Sequence, residues 1–318
     1  MAGHHYVPQF YLKNFRISNT KASIYVYFRN GEIKQKNISN IASKGHMYNF
    51  VDKNGEINRK LEKAFSTIEY DNQSIIQKIL ESKSISITED EHQRLSYFIS
   101  TLYVRGLAYR DKLTATHDAA IKTMMGLTAE SKEAFHRTAK QFLPNTTSTE
   151  KIESARLSFL DGTYRIEHDP NEILRLALKS AETIYPYILN KKLSLLKRTG
   201  DHFFATSDNP VIIGRDSPRK DSYIVGNGGL IYSSVILTLS PDYCLFISPQ
   251  DDIPENIEVQ NEDVDEVNYL LAFYAERMIF ADESHDHLAQ LMSITEAGQG
   301  QTTVVEYNKK STVYNPKK

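Results

Sequence analysis

At 318 residues, 40% hydrophobic and 25% charged, the chain has the composition of a globular protein and not of a disordered one. Its formal net charge of −2 excludes a global basic bias toward nucleic acid or an anionic membrane, and no apolar run approaches membrane-spanning length. A single cysteine, Cys244, excludes an internal disulfide framework and suits a reducing cytoplasm; between Tyr243 and Leu245 it reads as a small core residue.

The stretch His4 to Phe15 holds two adjacent histidines, a proline and four further aromatic residues. It lacks the basic and apolar regions of a signal peptide and is too apolar to leave in water, so it is expected to lie inside the fold as a strap. Ser23 to Phe28, then Asn30-Gly31, predicts a hairpin with a type I′ turn, and Asn54-Gly55 a second one. Leu61, Phe65, Ile68, Ile75 and Ile79 recur at helical spacing. Thr88 with Glu91 forms a capping-box pattern for a helix expected to reach Met125, and Lys132 to Phe142 is a third helical stretch. The segment 143–149 is rich in helix breakers and is the candidate internal boundary of one large domain spanning 1–318. Asp169-Pro170 starts another helix, which Pro186 is expected to kink or end.

Short β-like runs follow at 193–196, 203–206, 211–213, 234–239 and 243–247, with a polar, glycine-rich stretch from Gly214 to Gly229. Val264, Val267, Leu271, Ala275 and Met278 mark a helix, and Thr302 to Tyr307 a last strand. The fold class expected is α+β: a small N-terminal antiparallel sheet, central helices, a second mainly antiparallel sheet and a C-terminal helix.

Candidate chemistry sits in five places. Asp208-Asn209-Pro210 is a turn between two strand-like runs, fit either to carry a catalytic carboxylate or simply to build an Asx turn. Arg105 falls on an apolar stripe and needs a carboxylate partner, while Arg110, Glu62 and Glu69 are placed to brace helices or to line a site. Asn268 occupies an inward position where its amide needs a partner. His4 and His5 admit a metal-ligand, an acid–base and a structural reading. His285-Asp286-His287 has metal-like spacing in a polar segment that reads as an exposed loop. Phosphate-loop, dinucleotide, zinc-cysteine and nucleophile-elbow patterns are all missing.

The opening His-His-Tyr-Val-Pro-Gln-Phe-Tyr-Leu-Lys-Asn-Phe and the later Thr-Ser-Asp-Asn-Pro-Val together resemble the two signatures of a bacterial domain-of-unknown-function family, number 4238. The likeness extends over most of the chain and fades from Gly126 to Arg165. It implies no activity, but it selects His4, His5, Glu62, Glu69, Arg105, Arg110, Asp208, Asn209 and Asn268 as polar motif positions.

The expectation is an enzyme in which His4 or His5 meets Asp208 and Asn209, with Glu62 as a further catalytic group. Arg105, Arg110, Glu69 and Asn268 would bind the ligand. Arginines able to grip phosphate point to hydrolysis or transfer on a phosphodiester or nucleotide, nuclease-like chemistry of a defence or toxin system included. A divalent metal is compatible with the carboxylates but not demanded. The alternatives are a sensor binding a small anion and a structural protein in which the polar set is a buried brace.

Overall fold

The computed structural model describes residues 4–45, 47–48, 50–51, 57–58, 60–214, 222, 224 and 229–295. In chain order the elements are β1 (His4–His5), α1 (Gln9–Leu12), β2 (Ser23–Phe28), β3 (Ile33–Asn37), β4 (Ser43–Lys44), β5 (Phe50–Val51), β6 (Ile57–Asn58), α2 (Lys60–Ser82), α3 (Glu89–Arg105), α4 (Leu107–Glu130), α5 (Lys132–Phe142), α6 (Thr149–Asp161) and α7 (Pro170–Leu189). Then come β7 (Lys192–Arg198), β8 (Thr206–Ser207), β9 (Val211–Ile213), β10 (Val235–Ser240), β11 (Tyr243–Ser248), β12 (Asn256–Val259), α8 (Asn261–Tyr274), β13 (Met278–Ala281) and α9 (Asp286–Ile294). The fold is α+β.

Two compact units divide the chain. The larger joins the described residues up to 110 with those from 174 to 295. A five-stranded sheet runs in the order β12-β7-β11-β10-β9, antiparallel except for the β12–β7 pair. Side chains alternate across it as strand geometry requires. Val235, Leu237 and Leu239 of β10 enter a core shared with the strap and α2–α3, whereas Ile236 faces a second core with Val264, Val267 and Leu271 of α8. Cys244 lies in that second core, where burial pushes its thiol up. A four-stranded sheet, β3-β2-β13-β8, carries a third core against Leu288 and Met292 of α9.

The strap is tied down as its composition requires. β1 pairs with β4, His4 opposite Lys44 and His5 opposite Ser43. Val7, Tyr11, Leu12 and Phe15 are fully buried. The Tyr11 phenol donates to the Thr238 carbonyl at 2.7 Å and shares a 2.7 Å hydrogen bond with the Thr206 hydroxyl.

The smaller unit spans the described residues 111–173. Ser131 and Ser148 cap α5 and α6, and Ala129, Phe135 and Ile152 form its core. The 143–149 segment lies inside this unit, between two helices.

Local expectations needed four corrections. The first hairpin turn is not type I′: Gly31 has φ +80°, but Asn30 does not take a positive φ. Phe28 accepts from Gly31 N–H and donates to the Glu32 carbonyl, the pattern of a three-residue loop ending in a left-handed glycine. The helix begun at the Thr88 capping box stops at Arg105, because Gly106 is extended, and resumes as α4. Pro186 does not end α7, which continues to Leu189. The last long helix ends at Tyr274, so Met278 opens β13 instead of lying on its face. Asn54-Gly55, most of Gly214 to Gly229, and Thr302 to Tyr307 lie outside the described residues.

Candidate functional site

One face of α2 meets the strap. Glu62, Phe65, Ser66, Glu69, Tyr70 and Gln73 recur at steps of three and one, which puts them on a single helical face. With His4, His5, Gln9, Ser39, Tyr48 and Arg105 they line a cavity of about 550 Å³, a size typical of small-molecule sites.

His4 is fixed from behind. Tyr48 N–H donates to its Nδ1 at 3.0 Å, and the Tyr48 ring stacks on the imidazole at an interplanar angle of 8°. In the neutral ring the proton therefore sits on Nε2, the atom 3.6 Å from Glu62 Oε2. The His4 side chain is only 9% exposed, whereas that of Glu62 is 46% exposed. The pair thus offers one solvent-reached carboxylate beside one oriented imidazole N–H.

His5 is held differently. The Gln9 amide donates to its Nδ1 at 3.4 Å, while Nε2 is buried and reaches hydrogen-bonding geometry with no partner among the described residues. Burial lowers its pKa.

Arg105 spans helix and strap. Nη1 meets Glu69 at 2.8 Å, Nη2 donates to the His5 carbonyl at 2.6 Å, and Nε donates to the Tyr48 hydroxyl at 3.3 Å. The guanidinium also lies over the rings of Phe65 and Tyr48, 4.8 and 5.6 Å from their centroids. Three of its five N–H groups are therefore spent on the fold, which leaves little of the phosphate grip expected for it. Arg110 donates to the Met47 carbonyl at 3.3 Å.

The Asp-Asn-Pro turn does not bring its carboxylate to the histidines. Asp208 accepts backbone N–H groups of Glu276, Arg277 and Met278 at 2.9, 2.8 and 3.2 Å. Burial drives its carboxyl up to about 7 against the pull of those donors. Asn209 donates to the Tyr274 carbonyl at 3.0 Å. Asn268 accepts from Ala205 N–H at 2.9 Å and donates to the Phe203 carbonyl at 2.8 Å. All three clamp the chain around β8 and the end of α8. The strap does reach this motif, but through Tyr11 and Thr206.

Hence His4, His5, Glu62, Glu69 and Arg105 share one cavity, while Asp208, Asn209 and Asn268 are occupied elsewhere. Gln73 was not selected from the sequence, although it follows Glu62 and Glu69 at helical spacing on the α2 face. Tyr48, which orients both His4 and Arg105, carries no such signal.

Among the described residues, histidines also cluster in two further places. His202 Nδ1 and His287 Nε2 lie 2.8 and 3.4 Å from Asp265 Oδ1, with the His285 ring nearby. In the smaller unit His168 pairs with Asp118 and lies 3.4 Å from His117. Among the described residues, no three His, Cys, Asp or Glu side chains are grouped to hold a metal ion, and no helix is long and apolar enough to cross a membrane.

Comparison with protein-family profiles matches residues 3–285 to the family described as protein of unknown function DUF4238. The chain belongs to this family. The DUF4238 match takes in the strap, the α2 face and the Asp-Asn-Pro turn, so both the cavity and the clamp fall within it. Curated proteins and solved structures gave no match.

Proposed function

We propose that the cavity between the strap and α2 is a general acid–base site for hydrolysis or group transfer on a nucleotide or phosphodiester. The observation that carries this reading is the His4–Glu62 pair. An exposed carboxylate stands beside an imidazole whose tautomer is set by a backbone N–H. Glu62 takes the proton of a water or hydroxyl as its oxygen bonds to phosphorus, His4 Nε2–H hydrogen-bonds a phosphoryl oxygen, and the bond from phosphorus to the leaving oxygen breaks as that oxygen takes the proton back from Glu62. The amides of Gln9 and Gln73 and the hydroxyls of Ser39 and Ser66 suit a polar ligand, and the exposed Tyr70 ring suits a base.

The second reading is a binding module. What favours it is Arg105, whose guanidinium serves the fold and has only two N–H groups left for an anion.

Turnover separates the two. The protein would be incubated with nucleotides, RNA and DNA, with and without Mg²⁺ or Mn²⁺, beside Glu62→Gln and His4→Gln. Product formed by the wild type and lost in both variants, with the circular dichroism unchanged, supports catalysis. Wild-type rates in both variants reject this site, and saturable binding without product favours the module.

A further inference from the structure

On the Tyr6 side of the strap lies a second cavity, of about 320 Å³, whose chemistry is the opposite of the first. Lys36 comes to it from β3, Lys44 from β4, and Arg277 from the turn before β13. No carboxylate lines it among the described residues, and there none of the three cations forms an ion pair with one. Three cations from separate chain segments repel one another, and no carboxylate among the described lining residues offsets that repulsion; Glu32, outside the cavity, acts on Lys36 alone of the three.

Tyr6 adds a directional group. Its side chain lines the cavity although the residue is only 4% exposed, and its phenol has no hydrogen-bond partner among the described residues. The nearby carboxyl of Asp208 does not compete for the space, because both its oxygens face the N–H groups of residues 276–278. Leu107 and Met278 add apolar wall. The volume exceeds what a bare phosphate needs and sits at the lower end of small-molecule sites.

We propose that this cavity binds a small phosphomonoester, with its phosphate held by Lys36, Lys44 and Arg277, its oxygen met by the Tyr6 phenol, and its organic part against Leu107 and Met278. Lysine and arginine both bind phosphate, arginine with a fork that matches two oxygens at once. The site is distinct from the His4–Glu62 cavity and does not depend on the function proposed there.

The test is calorimetric titration of the full chain with inorganic phosphate and with phenyl phosphate, at constant ionic strength. Lys44→Gln and Arg277→Gln are the variants, since both residues are exposed and the Arg277 backbone N–H that serves Asp208 is kept. Saturable binding of both probes is expected, tighter for phenyl phosphate. Each variant should weaken it about tenfold or more, a cost in keeping with one charge-assisted hydrogen bond, whereas Glu62→Gln should leave it unchanged. No saturation at millimolar phosphate, or unchanged affinity in the Lys44→Gln/Arg277→Gln double variant, overturns the proposal. Binding lost in Glu62→Gln but kept in that double variant also overturns it, since the anion would then sit in the other cavity.

Discussion

Arg105 and Glu69 form the joint between the strap and the helices, and a double-mutant cycle measures it. Arg105 is 3% exposed and its partner 26% exposed. Glu69→Ala strands a buried cation, and breaking a buried pair in this way costs about 3–5 kcal/mol. The remaining contacts to the His5 carbonyl and the Tyr48 hydroxyl place the expected cost near the lower end, about 3 kcal/mol. Arg105→Met leaves a carboxylate that water can reach, but it also orphans the His5 carbonyl, which accepts a 2.6 Å bond. Its expected cost is again about 3 kcal/mol. The double variant has neither stranded charge, so it should lose about 4 kcal/mol rather than the sum, a coupling of about 2 kcal/mol. Urea unfolding midpoints for the four proteins, read at a common m-value, give the cycle. Additivity within about 0.5 kcal/mol would refute the reasoning, because the pair would then be incidental to the fold.

Asp208→Ala removes the acceptor of three backbone N–H groups and should destabilise by more than about 2 kcal/mol at pH 5, measured by urea unfolding. Because the Asp208 carboxyl is raised to about 7, the folded state holds its proton more tightly than the unfolded state does. That contribution is full below about pH 4 and is lost as pH rises through about 7, so the wild type should lose stability relative to Asp208→Ala across this window. Asn268→Leu keeps the volume but orphans Ala205 N–H and the Phe203 carbonyl, so a loss of about 2–4 kcal/mol is expected, seen as a lowered Tm. Tyr11→Phe deletes only the hydroxyl that joins the strap to Thr206 and Thr238. It should cost about 1–2 kcal/mol, with the near-ultraviolet dichroism otherwise preserved.

The parts of this fold written in local spacing could be read from the chain. The α2 stripe, the Thr88–Glu91 capping box, the Asp169-Pro170 helix start and the β10–β11 pair all follow from neighbours within a few residues. What ended α8 could not be read that way. The pattern Val264, Val267, Leu271, Ala275, Met278 continues past Tyr274, yet Asp208 takes the N–H groups of residues 276–278. Arg29 takes the carbonyls of Ala272 and Ala275. Those partners are 68 to 246 residues distant, and together they outcompete another helical turn. The candidate site divides along the same line. Glu62, Glu69 and Arg105 were legible as polar groups out of place on helices. The expected meeting of the histidines with Asp208 was not, because the nearer backbone N–H groups satisfy that carboxylate first.

The Tyr11 phenol has a consequence for how the chain is made. It bonds residues 195 and 227 positions downstream. The strap therefore cannot be locked until Thr238 has left the ribosome, on the order of ten seconds or more after Tyr11 itself at ordinary elongation rates. For that interval an apolar segment carrying both histidines has no permanent place. The cavity between the strap and α2, although it is lined by residues from the first 105, therefore waits on a strand more than a hundred residues further along the chain.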